Sequence, residues 1–178
     1  MQLRLQLRTT GQRMISLKTF LEEKKNWEQL IFDSVIEFLN NKYNTSYKIT
    51  VVVKKKMGET FGHVNLLGKN NKIVIQSAGT DYMVSSIIHE FIHIKQINTK
   101  EIGVSKDKKY ITWNGILHIP VDTYKELSTK SYDKYKVLPW ESEAITAAKS
   151  LRDKYFKSPQ FTGLRGKDPT LDIVLDNH

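Results

Sequence analysis

The chain has 178 residues, 39% hydrophobic and 26% charged, which suits one domain with a real core and excludes the composition of a disordered protein. No run approaches the ~18–20 apolar residues of a membrane span, and with no cysteine the chain can form neither disulfides nor thiolate zinc sites. The formal net charge is +9, from 28 Lys and Arg against 19 Asp and Glu.

Lysines cluster at Lys54-Lys55-Lys56 and at Lys106, Lys108 and Lys109. They are not interleaved with aromatic residues, as stacking platforms for single strands would be. A solvated basic surface is therefore the simpler expectation, and nucleic acid is not the expected partner, although the charge leaves it open. The start of the chain lacks the basic, apolar and small-residue segments of a secretory signal. With the missing cysteines, this leads us to expect a cytoplasmic protein with no membrane partner.

Residues 1–15 form an N-terminal arm that alternates apolar and polar from Leu3 to Leu7. Ser16 is placed to cap a long helix reaching about Asn41. Its apolar stripe is Leu17, Phe20, Leu21, Trp27, Leu30, Ile31, Val35, Phe38 and Leu39. Tyr47 to Val53 is rich in β-branched residues and reads as a strand. Phe61–Leu67 and Lys72–Gln76 read as a hairpin around Gly68-Lys-Asn-Asn71.

A second helix follows, containing His89-Glu90-Phe91-Ile92-His93. On a helix His89, His93 and Gln96 fall on one face, while Val84, Ile87, Ile88, Phe91 and Ile94 gather on the other. Two histidines four residues apart reach a single Zn²⁺ at about 2.0–2.1 Å each. Glu90 points to the side of that pair, where it takes a proton from water rather than binding the metal. His89, His93 and Glu90 are thus the candidate metal ligands and general base.

Beyond Asn98, Lys100–Lys109 reads as a polar loop. Ile111–Ile119 reads as two short strands about Asn114-Gly115. Val121–Val137 is polar and carries Tyr124, Tyr132 and Tyr135, with no element assigned. Leu138–Leu151 reads as a helix with Pro139 near its first turn. The main domain is expected at 16–157, with 158–178 as an irregular extension containing Pro159, Gly163, Gly166 and Pro169. The order of elements makes the fold α+β.

A catalytic zinc takes three protein ligands and keeps one position open. Glu141 and Glu143, at the start of the last helix, are the candidates for the third. HExxH followed by a helix carrying Glu-x-x-Ala resembles the gluzincin branch of the zincin metallopeptidases. That resemblance implies Glu141 as the ligand, with Ala144 as the small residue three positions on and Glu143 as runner-up. Ile145 stands where those families have Asp or Asn supporting a zinc-binding histidine, so this support must come from elsewhere.

A closer likeness covers roughly residues 72–151. HExxH, Trp113-Asn-Gly115 and Pro139-Trp-Glu-Ser-Glu-Ala144 together are similar to small metallopeptidase domains encoded by bacteriophages. The resemblance implies a compact zincin-like domain with a small, mostly antiparallel sheet. It also implies a zinc-dependent peptidase acting on peptide or protein substrates, located in host cytoplasm or virion. Tyr132, Tyr135 and His118 are candidate oxyanion donors, and Ile73–Gln76 would be the edge strand that pairs with substrate. The second expectation is a structural or binding module with zinc retained, among other virion proteins.

Overall fold

The computed structural model describes residues 17–55, 62–64 and 71–165. The N-terminal arm, all but Gly62–Val64 of the expected Phe61–Leu67 strand, and all but Asn71 of the following turn lie outside the described residues.

Helix α1 spans Leu17–Tyr43. Ile31, Phe32, Val35, Ile36 and Leu39 are its buried stripe, at the spacing of a single helix face. Leu30, expected in that stripe, is exposed. Trp27 packs against the core while only partly buried. The helix stops at Asn44, whose φ of +51° is the left-handed conformation that ends helices. Asn40 then ties the exit down: its Oδ1 accepts from Thr45 Oγ1 at 2.8 Å and from the Tyr47 amide at 2.9 Å.

The chain continues into β1 (Thr50–Lys54), β2 (Gly62–His63) and β3 (Lys72–Gln76). β1 runs parallel to β3, and β2 pairs antiparallel on its other side. The order β1-β3-β2 makes β3 the central strand, with Ile73 and Ile75 fully buried. The expected edge strand at Ile73–Gln76 is therefore corrected: among the described residues β1 and β2 are the edges. An apolar Ile-Val-Ile run suits a strand covered on both faces.

Helix α2 (Thr80–Asn98) follows. Then come β4 (Ile102–Val104), β5 (Tyr110–Trp113) and β6 (Ile116–Pro120), which form a second, antiparallel sheet. β4 lies within the stretch expected to be a loop. A Cβ at Gly103 would meet Thr112 Oγ1 at 2.8 Å, so any larger residue there obliges Thr112 to shift. The β5–β6 turn is Asn114-Gly115 as expected, at φ +50° and +80°, the signs of a type I′ turn.

Helices α3 (Val121–Lys130) and α4 (Tyr132–Tyr135) fill the tyrosine-rich segment, and α5 spans Pro139–Phe156. The extension expected to be irregular from Ser158 begins instead with α6 (Pro159–Arg165). Phe161 and Leu164 on it are buried in the main core. The architecture is α+β, with two small sheets rather than one among the described residues. Among the described residues no helix is long and apolar enough to cross a membrane.

The larger core joins α1, β3, α2, α5 and α6 around Val35, Leu39, Ile87, Ile88, Phe91 and Tyr155. A smaller one gathers Ile102, Ile111, Ile119, Leu138 and Trp140 beneath the second sheet. Ile97 near the end of α2 packs against both. α2 is thus enclosed far beyond its apolar back: Ile92, His93 and Gln96 on the histidine side are buried too.

Candidate metal centre

Two helices deliver the site. α2 supplies His89, Glu90 and His93, and α5 packs directly along it. The buried face of α5 reads Trp140, Glu141, Ala144, Ala148, Leu151 and Tyr155. Ala144 and Ala148 carry only methyl groups, which lets the two helices approach closely. That approach brings Glu141, in the first turn of α5, onto the histidine pair.

The three ligand atoms converge. His93 Nε2 is 3.0 Å from His89 Nε2, and Glu141 Oε2 is 3.3 Å from each. A tetrahedral ion bonded at about 2.0–2.1 Å holds its ligand atoms roughly 3.3–3.4 Å apart, so the triangle has the right size. The Glu141 side chain is fully buried, His93 is 5% exposed and His89 22%, so the cluster meets solvent on the His89 side. Among the described residues Glu141 Oε2 is buried and faces the two imidazole nitrogens, with no further partner. A buried carboxylate oxygen facing two imidazole nitrogens is an unmet demand for a cation. Two imidazoles and one carboxylate are also the donor set of a catalytic zinc, so the residues present fit the ion.

The surroundings fix these groups. Tyr124 Oη donates to Glu141 Oε1 at 3.5 Å and lies 3.3 Å from Tyr135 Oη. Burial pushes both phenols well above the usual tyrosine range, so they stay protonated. Burial would raise Glu141, but His89, His93 and Tyr135 outweigh it and hold the carboxyl down at about 2. Burial would lower His93, but Glu141, Glu90 and Gln96 outweigh it and raise it to about 9. Glu90 is buried and shifted upward by desolvation, against the pull of His93 and His89. The Val64 backbone N–H, just past β2, also donates to the Glu90 carboxylate.

The other expected residues sit elsewhere. Glu143 points away from the cluster, accepting from Gln96 Nε2 at 3.1 Å and lying 3.7 Å from Lys95. Tyr132 is largely exposed. His118 rests against Trp140, ring centroids 5.3 Å apart, with no hydrogen bond to the cluster among the described residues. Tyr135 is the oxyanion candidate that reaches the site, and it does so at Glu141. Sequence reasoning gave Tyr124 and Gln96 no role. Gln96 carried a signal, its place on the histidine face, whereas Tyr124 is brought in only by the folding of α3 and α4. A groove of about 400 Å³ runs along the outer face of α5 between Tyr43, Glu143 and Leu151, away from the ligand atoms.

Comparison with protein-family models, with curated proteins and with solved structures found no match.

Proposed function

We propose that this chain is a zinc-dependent peptidase of zincin-like fold, in which His89, His93 and Glu141 hold the ion and Glu90 is the general base. The observation that carries this reading is the buried triangle of two Nε2 atoms and one carboxylate oxygen, with a second buried carboxylate one residue along the same helix. When bound, zinc supplies Lewis acidity, lowering the pKa of water towards ~7 and polarising a carbonyl.

The chain's own residues do the rest. Glu90 accepts the proton of the attacking water, and its upward shift strengthens it as a base near neutral pH. The same carboxyl then returns that proton to the leaving amine. Val64 N–H holds one side of the carboxylate and so orients it. Tyr124 and Tyr135 steady Glu141. An extended peptide is accommodated along the β2 edge, because Val64 joins that edge to the general base. A binding module that only retained zinc has no use for a buried base beside the ligands, which favours the enzyme.

The test is metal analysis of purified wild type, Glu90→Gln and Glu141→Ala, with cleavage of a peptide library by the same samples. Wild type and Glu90→Gln are expected to carry about one zinc per chain. Cleavage should fall by ~10²-fold or more in Glu90→Gln, and Glu141→Ala should lose the metal. Wild-type protein that takes up no zinc sinks the proposal; zinc without cleavage of any peptide shifts it to the binding module.

A further inference from the structure

Behind the ligands lies a connected series of polar groups. Gln96 is fully buried one turn beyond His93 on α2. Its Nε2 is 3.2 Å from the Trp140 carbonyl oxygen and 3.1 Å from Glu143 Oε2. Both partners only accept hydrogen bonds, so the nitrogen end of the amide must face them. This leaves Gln96 Oε1, itself only an acceptor, 2.9 Å from His93 Nδ1. His93 must therefore carry a hydrogen on Nδ1, which directs the Nε2 lone pair of the neutral ring at the cluster.

We infer that Gln96 is the residue that orients His93 for metal binding, and that Glu143 is not a ligand but the group that fixes which way the Gln96 amide faces. The inference rests on the metal reading above and deepens it. It also answers the vacancy left by Ile145: support for the histidine comes from the motif helix itself, three residues past His93, and is held from α5 by Trp140 and Glu143. Glu143 is suited to this, being 43% exposed and steadied by Lys95, which also pairs with Glu101 at 3.1 Å. A neutral amide between the histidine and Glu143 also keeps a further full negative charge, beyond those of Glu141 and Glu90, off the imidazole.

The experiment is zinc affinity by chelator competition, with thermal melting of the metal-free proteins as the control for folding. Gln96→Leu is expected to weaken zinc by about 10–100-fold, the usual effect of removing a partner of a ligating histidine. Glu143→Leu, at a half-exposed position, should fold normally and weaken zinc by a smaller factor, roughly three- to tenfold, because the Trp140 carbonyl still holds the amide. Glu143→Gln keeps an acceptor and should stay within about twofold. In zinc-loaded wild type, long-range ¹H–¹⁵N spectra should show a His93 Nδ1 proton that exchanges slowly with solvent, and its exchange should quicken markedly in Gln96→Leu, where the accepting oxygen is gone. Wild-type affinity in a folded Gln96→Leu overturns the inference while leaving the metal site standing. So does loss of zinc in Glu143→Leu as complete as in Glu141→Ala, which would make Glu143 a ligand. Wild type that binds no zinc overturns the metal reading and this inference with it.

Discussion

At the ligand atoms, three electron-pair donors lie within 3.3 Å of one another, and such a group is quiet only when a cation or a proton sits among them. In the metal-free protein the proton takes that role. His93 is raised from 6.5 to about 9 by Glu141 and Glu90 despite its burial. The sign follows directly: a raised pKa means the folded state holds the proton more tightly than the unfolded chain. That contribution to metal-free stability is fully present below pH 6.5 and is lost as pH rises through about 9. Zinc and this proton compete for Nε2, so zinc affinity should climb with pH by up to about tenfold per unit between those limits. Calorimetry at pH 7.5 in buffers of different ionisation enthalpy should find close to one proton released per zinc bound. Zinc binding with no proton release would show that His93 is neutral before the metal arrives. At this scale the sequence was legible where chemistry is local. His89, Glu90 and His93 are read from helical spacing alone, and Gln96 lay in view on the same face. Tyr124, and the place of Tyr135 beside Glu141, were opaque, since the two tyrosines stand eleven residues apart and α3 and α4 must fold before their hydroxyls meet.

The contact between α2 and α5 is what turns two helices into a site, and Ala144 stands at its centre, fully buried three residues after Glu141. Ala144→Leu adds volume where the helices touch and should cost about 1–3 kcal/mol of stability. It should also weaken zinc, because the displaced α5 carries Glu141 away from the histidines. Urea denaturation of the metal-free protein measures the first effect and a zinc titration the second. A variant that loses stability yet binds zinc as wild type would mean that Glu141 does not depend on helix spacing. Elements with strong periodicity were readable: α1, α2, α5 and the Asn114-Gly115 hairpin lie where pattern and turn chemistry put them. Those that were missed have weak local signals. β4 is three residues interrupted by Gly103 and exists because β5 pairs with it. α3 has no fully buried residue, only Val121, Tyr124 and Leu127 at three-residue spacing, packed against the smaller core. α6 is seven residues long, announced by Ser158-Pro159 as cap and first helical position, a signal masked by the glycines around it. The β1–β3 pairing is long-range and parallel, so it placed β3 at the centre of its sheet without any local cue.

For the molecule as a whole, the candidate ligands span the seam between the larger core and the one under the second sheet. His89 and His93 sit on a helix packed into the first, and Glu141 directly follows Trp140 of the second. A bound ion would therefore tie α2 to α5 at the point where the two cores meet, and its binding energy would add to folding stability by mass action. At free zinc about 1,000-fold above the dissociation constant, the gain is roughly 4.1 kcal/mol. For a chain of this size that corresponds to a rise in Tm of about 8–16 °C. Glu90→Gln should show the full shift, because it leaves the ligands intact, and Glu141→Ala should show little or none. The tryptophans make the measurement regional. With Trp27, which packs against the larger core, replaced by Phe, Trp113 and Trp140 report the smaller core by fluorescence, while far-ultraviolet circular dichroism is dominated by the helices of the larger one. Since α2 and α5 contribute to both cores, the two signals should melt together with zinc bound. On addition of a chelator, any separation should begin with the fluorescence of the smaller core. Equal melting temperatures with and without zinc, in protein shown to bind it, would mean that the unfolded chain holds the ion as tightly as the folded one, so that folding assembles no three-residue site.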